Sequence, residues 1–408
     1  MSAGVPRIIV GNLDCESEFA AVALGRRADA ITLPSRVRST ISAAATLLRV
    51  FARDGDVLWT PAAVSQDQVA SVDGLPMPTL RSGPLAAMET GNKLIAWGET
   101  LHANALRPPA QEPVAREASR NETSVHEVAW SLPVPSPSAA LKANDRRFAL
   151  EMAMSLGCAL SGSRTISSLR ELEAYVRADG AALSSTQQWV VKAPFSAAGR
   201  WRVIGRGKWP PPERDLQAVE NLLERFGELV FEPWVDRLDD FAETFVIEKN
   251  RSMPVSSHRQ TIDRFGRFRG IELHWSTRRP HWFAPPELER VLETVDGATQ
   301  RLRDIGYCGP VTVDLFRFRT PDGTIKLHPL GEINARLSFG FVARALVGRL
   351  APAFPDLDRD LGLAALRFGN KPGWRDPTHT IPLVHPTETC PLEIALDITS
   401  RPTGKISV

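Results

Sequence analysis

The sequence predicts a mixed α/β (α+β) protein, with a small layered domain ahead of a larger part built on antiparallel hairpins. Three observations carry that prediction. Pro6-Arg7-Ile8-Ile9-Val10-Gly11-Asn12 opens as a buried strand, and helix and strand patterns alternate after it as far as about Trp97. Met253 to Gln260 and Arg267 to Trp275 alternate around Asp263-Arg264-Phe265-Gly266, as an antiparallel hairpin does. A second hairpin, Gly309 to Phe316 and Ile325 to Arg336, turns at Pro321-Asp322-Gly323.

Taken in order, Gly11 and Asn12 stand where open α/β sheets bind ligands, or else form a turn with unusual backbone angles. Asp14-Cys15-Glu16 reads as the acid-rich first turn of a helix. Residues Arg107 to Ala140, rich in Pro and Ser and weakly periodic, read as a linker or loose crossover. Asn144-Asp145-Arg146-Arg147-Phe148 then leads into an apolar helix reaching Gly157. Trp189 to Pro194 is a buried strand that delivers Lys192, and lysine is a compact cation suited to phosphate. The small residues Ser196, Ala197, Ala198 and Gly199 follow; such loops let backbone N–H groups approach phosphate oxygens, although the Walker spacing is absent.

Glu228 to Arg237 is an apolar strand running into Glu232 and Pro233, with Asp239 and Asp240 just beyond. It reads either as an edge that hydrogen-bonds a purine through its backbone or as an ordinary edge strand blunted by proline. The first hairpin carries His258 and Arg259; guanidinium pairs bidentately with carboxylates, and a solvated sheet face is the other reading. Pro286 to Ile305 has the spacing of an amphipathic helix, with Leu288, Val291, Leu292, Val295 and Leu302 toward the core. Leu361 to Leu366 suggests another helix, and Leu392 to Val408 alternates like a strand.

The second hairpin holds the densest chemistry. Ile325, Leu327 and Ile333 share one face of its second strand, and Lys326, His328, Glu332 and Asn334 point from the other. Asp314 then lies across from Glu332 within a residue or two, and Asn334 adds a neutral oxygen beside them. A few hard oxygen ligands that leave room for water and phosphate suit Mg²⁺. The same residues also describe a surface hairpin with solvated charges.

In this order the segments resemble the ATP-grasp superfamily of carboxylate–amine and carboxylate–thiol ligases, over roughly residues 141 to 350. The resemblance implies an ATP-grasp fold. It implies that Lys192, and Arg146 where the family usually has lysine, hold the ATP phosphates, with Ser196 to Gly199 as the phosphate-covering loop. Glu232, Trp234 and Val235 fall on the adenine-side hinge, and Asp239 or Asp240 on the ribose position. Asp314, Glu332 and Asn334 match the metal-binding pattern, implying two Mg²⁺ ions, and Arg336 stands where a basic residue faces the transferred phosphoryl group. His258 and Arg259 are candidates for substrate carboxylate. The amino-terminal part is similar to the Rossmann-like pre-ATP-grasp domain of some bacterial peptide ligases. The implied activity joins a carboxylate, an amino acid or short peptide, to an amine through an acylphosphate, releasing ADP and phosphate. A phosphotransferase and a nucleotide-binding regulatory protein without turnover are the alternatives.

At 408 residues, 43% hydrophobic and 24% charged, the chain can bury core for several domains. Expected boundaries are 1–106 for the small domain, 107–140 for the crossover, 141–350 for the ATP-grasp part and 351–408 for a carboxy-terminal extension. A net charge of +2 without a long basic block argues against nucleic acid as a partner. Partners are therefore expected to be small molecules, and a homo-oligomer is compatible with the sequence. Cys15, Cys158, Cys308 and Cys390 lie far apart with no Cys-x-x-Cys pair, so buried free thiols in a reducing cytoplasm are expected. No apolar run is long enough to span a bilayer, and no signal pattern opens the chain.

Overall fold

The computed structural model describes residues 6–27, 31–85, 88, 93–107, 129–179, 188–196, 199–206, 209–263, 266–275, 282–355, 362–369 and 378–399. Its strands form three sheets. The first is parallel, in the order β3-β2-β1-β4, from β1 (Ile8–Val10), β2 (Val57–Thr60), β3 (Thr79–Ser82) and β4 (Leu94–Ala96). Ile8, Ile9 and Val10 are fully buried because helices and turns cover the sheet, as parallel sheets require. The expected strand is thus present as Ile8–Val10, and Asp14 immediately precedes a helix, Cys15–Ala23, whose first turn carries Glu16 and Glu18. The Asn12 side chain is spent on structure: it exchanges hydrogen bonds with the backbone of Gly98 at 2.9 and 3.1 Å, tying the exits of β1 and β4 together.

The second sheet is antiparallel, in the order β5-β8-β6-β7, from β5 (Arg164–Ile166), β6 (Gln188–Lys192), β7 (Arg202–Arg206) and β8 (Leu229–Pro233). β8 pairs on both sides, so it is an interior strand and not the edge that its terminal proline suggests. The helices Leu169–Asp179 and Glu213–Phe226 belong to this unit; the latter has Glu213 and Asp215 in its first turn, Arg225 in its last and Gly227 at φ 73° just beyond, which suits the helix dipole and a left-handed cap.

The third sheet has eight antiparallel strands in the order β13-β12-β9-β10-β11-β14-β16-β15. They are β9 (Asp236–Ile247), β10 (Ser252–Ile262), β11 (Phe268–His274), β12 (Gly309–Arg319), β13 (Ile325–Asn334), β14 (Leu363–Phe368), β15 (His379–Val384) and β16 (Ile394–Thr399). Both expected hairpins are present. The helix Pro285–Asp304 buries Val291 and Leu302 as its spacing predicts, but Leu292 is 38% exposed, and Ile325 at the hairpin tip is 57% exposed. Helix Arg146–Ser155, N-capped by the Asp145 carboxylate on Arg147 N–H at 2.9 Å, packs between β13 and β8 and so joins the two antiparallel sheets.

Two sequence expectations are corrected. Leu363 to Phe368 is a strand, not a helix: the apolar run is short, lies between Gly362 and Gly369, and pairs with β11 on one side and β16 on the other. A helix, Pro137–Ala143, straddles the end of the expected crossover, its Ala139 N–H donating to the Ser136 hydroxyl at 3.2 Å; residues 108–128 lie outside the described residues. All four cysteines are free, but only Cys15 and Cys390 are buried. Among the described residues no helix is long and apolar enough to cross a membrane.

Gly205 lies directly across the ladder from Trp189, whose ring covers it; a methyl there would stand 2.0 Å from that ring. Gly205→Ala is therefore expected to cost about 1–3 kcal/mol in urea unfolding, through overpacking.

Candidate active site

The three sheets meet around a cleft of about 1030 Å³. β6 and β7 bring Lys192 and Arg202 to it, β10 brings His258 and Gln260, β12 brings Asp314, and β13 brings Glu332 and Asn334. The exits of β1 and β4 add Leu13 and Trp97, in keeping with the tendency of parallel sheets to present ligand sites at strand carboxyl ends.

The hairpin register depends on a bulge. From the tip, Arg319 pairs with Ile325 and Phe316 with His328, which would leave Asp314 opposite Leu330. The ladder shifts between Asp314 and Phe316, and Asp314 pairs instead with Glu332. A bulge re-aims side chains in this way, and here it sets two carboxylates side by side. Asp314 accepts from Gln260 Nε2 at 2.7 Å and from Asn334 Nδ2 at 3.1 Å. The Asn334 oxygen in turn accepts from Arg336 Nη2 at 2.9 Å.

Arg146 stands at the start of its helix and reaches across: its guanidinium donates to Ser196 Oγ at 2.6 Å, to the Ser196 carbonyl at 2.7 Å and to Glu332 at 2.7 Å. Lys192 is ion-paired with Glu232. Gly199 adopts φ 72°, a left-handed conformation that favours glycine, whereas Ala197 and Ala198 lie outside the described residues. Trp234 and Val235 line the cleft beyond β8, but the Trp234 N–H is engaged by the Gln188 carbonyl at 2.9 Å.

Alternation separates the remaining candidates. Asp240 lines the cleft and accepts from Arg237 at 2.9 Å, while Asp239 turns to the other face and pairs with Arg259 and Arg317. Likewise His258 lines the cleft and Arg259 does not; of the candidate residues Arg259 meets Asp239, on the face turned from the cleft. Gln260, two residues from His258, shares its face; the same period-2 reasoning applied to this strand would have found it. Glu16 had no such signal. From the helix after β1 it accepts from Arg336 Nη2 at 2.7 Å, a pairing 320 residues apart in sequence.

Electrostatics follow from burial and neighbours. Burial, with Glu332 opposite, pushes the Asp314 carboxyl up to about 7. Burial opposes ionisation of Glu332 too, but Arg146 and Lys192 outweigh it and hold this carboxyl below its usual range. Glu232 is likewise held low against burial by Lys192. Burial alone drives His258 down to about 3, so it is neutral, and its Nδ1 has no partner. Gly340 is required beside it, since a Cβ there would meet His258 Cε1 at 2.4 Å. Two adjacent carboxylates and an amide, one carboxyl raised by burial and by the neighbouring carboxylate, suit a hard divalent cation. Among the described residues no group of three or more His, Cys, Asp or Glu is placed to hold a metal ion, and this set has two carboxylates and an amide.

No protein-family model matches the sequence, and no curated protein does either. Solved structures do match. The chain is similar to N5-carboxyaminoimidazole synthetase from Staphylococcus aureus, with TM-score 0.52 and 12% identity over 97% of this chain and 94% of that one. It is similar to an ADP complex of N5-carboxyaminoimidazole ribonucleotide synthetase, with TM-score 0.52 and 12% identity over 98% and 95%. A biotin carboxylase domain from Hydrogenobacter thermophilus, in complex with MgADP, ADP and bicarbonate, aligns with TM-score 0.50 and 12% identity over 96% and 85%. Structural likeness along nearly the whole chain, in a protein with a parallel amino-terminal sheet and a large antiparallel sheet, identifies the architecture: the chain has the ATP-grasp fold.

Proposed function

We propose that the chain is an ATP-dependent carboxylate–amine ligase that forms an amide and releases ADP and phosphate. The observation that carries this reading is the meeting, in one cleft, of a cationic side made by Arg146, Lys192 and Arg202 with an acidic side made by Asp314 and Glu332. That polarity suits a nucleotide triphosphate held between lysine or arginine and a metal ion. The matched structures with ADP and MgADP support the same reading.

Asp314, Glu332 and Asn334 would hold Mg²⁺, which supplies charge neutralisation at the transferred phosphoryl group. Lys192 and Arg146 bind phosphate oxygens, Lys192 exchanging Glu232 for phosphate. Trp234, Val235 and Asp240 border the nucleoside end. Arg336, held by Glu16 and Asn334, orients the substrate carboxylate for attack on the γ-phosphorus. The acylphosphate so formed is then attacked by the amine at its carbonyl, phosphate leaves, and Ser196 and its loop exclude water during that interval.

Hydroxylamine in place of the amine should give a hydroxamate with stoichiometric ADP. Release of AMP and pyrophosphate would overturn the acylphosphate route, and a stable phosphoester would make the protein a kinase. Asp314→Asn should reduce ADP release by at least about 100-fold; near wild-type turnover in that variant would remove the metal assignment.

The same variant has a stability signature. An aspartate raised to about 7 when folded, against roughly 4 unfolded, gives the folded chain a proton that the unfolded chain has released. Its contribution to stability is present below about pH 4 and is lost as pH rises through 7. The Tm of Asp314→Asn relative to wild type, measured without Mg²⁺, should therefore increase between pH 5 and pH 8. A difference that stays constant with pH would show that the carboxyl is not raised.

A further inference from the structure

The cleft has a second end that phosphate chemistry does not use. Arg336 Cζ lies 5.3 Å from the centre of the Trp97 ring, and Trp97 lies 4.9 Å from Phe339. Phe339 in turn lies 4.8 Å from Phe368 and 5.7 Å from Phe268, which are themselves 5.2 Å apart. Trp97 is buried, whereas Phe268, Phe339 and Phe368 are only half-buried, and all four line the cleft. The aromatic run thus begins at Arg336 and leads away from the metal side.

Sheet order explains the separation. Asp314 and Glu332 are on β12 and β13 at one edge of the eight-stranded sheet, while Phe268 and Phe368 are on β11 and β14. From β12 to β11 is three strand spacings, roughly 14 Å at about 4.8 Å each. β10 lies between, and its cleft-facing side chains include neutral His258 and Gln260. The nearest cation on β11, Arg269, is already paired with Asp263 at 2.8 Å. A small polar side chain placed on these rings would lose hydration against three aromatic faces, whereas an apolar one would gain contact area. The Trp97 indole N–H is buried and makes no hydrogen bond, so this ring meets the cleft as an apolar surface.

The geometry points to a carboxylate substrate with an aromatic or bulky aliphatic body, its carboxylate toward Arg336 and its body on Phe268, Phe339 and Phe368. This inference rests on the ligase reading above and names the substrate class of that same site. It requires only binding and positioning, with no additional chemical step.

The test uses the full chain with ATP, Mg²⁺ and hydroxylamine, and compares phenylalanine and leucine with glycine and aspartate as carboxylates. kcat/KM for ADP release should favour the two apolar acids by about 100-fold, the scale of discrimination in hydrophobic pockets. Phe368→Ala should raise KM for phenylalanine about tenfold and leave KM for ATP unchanged, and Phe368→Leu should recover most of the loss. Preference for glycine or aspartate would overturn the aromatic site while leaving the ligase standing. ADP release with no carboxylate at all would overturn both. A KM for ATP that rises together with that for phenylalanine in Phe368→Ala would reduce the wall to a structural role and overturn the inference as well.

Discussion

Two half-buried carboxylates face each other across an antiparallel ladder at the wall of the cleft, and the surrounding side chains are arranged about that conflict. Asp314 meets it by staying protonated up to about pH 7, and Glu332 by accepting from Arg146. Gln260 and Asn334 donate to Asp314, and Arg336 secures the Asn334 amide from the other side. Each donor comes from a different element, so the pair draws β10, β13 and the helix Arg146–Ser155 to one place. A hydrogen-bonded set of this kind is costly to leave half-satisfied, which ties the local geometry to the fold as a whole.

Much of this is legible in the residues. The alternation of Glu332 and Asn334 puts them on one strand face, and Pro-Asp-Gly marks the turn. Their meeting with Asp314 depends on the bulge, a two-residue shift that no local pattern announces. Arg146 is legible as the basic residue opening a helix, but its contact with Glu332 comes from that helix packing between two sheets. The ambiguity between Asp239 and Asp240, and the doubt over His258 and Arg259, were questions of which strand face looks into the cleft. Period 2 states only that neighbours differ; the packing of the sheet decides which of them is inside.

The sequence was least informative where apolar runs are short and where partners are distant. Leu363 to Phe368 satisfies a helix or a strand equally over six residues, and becomes a strand because β11 and β16 offer backbone partners on both sides. Glu16 and Arg336 are separated by nearly the whole chain, so their ion pair exists only after the parallel sheet has docked. The aromatic wall is scattered likewise over Trp97, Phe268, Phe339 and Phe368 and has no motif.

The helix Phe339–Leu350 is held by guanidinium groups near both ends. Arg336, just before it, grips Glu16, while Arg349 in its last turn donates to the carbonyls of Val50 and Ala52 at 2.6 and 2.7 Å. Arg344 between them donates to the carbonyls of His274, the last residue of β11, and of Trp275 just beyond it. One rod is thereby pinned to the small parallel domain at two points and to the eight-stranded sheet at a third. Such a brace couples the small parallel domain to the eight-stranded sheet through a single helix, with Arg336 at the cleft end of it.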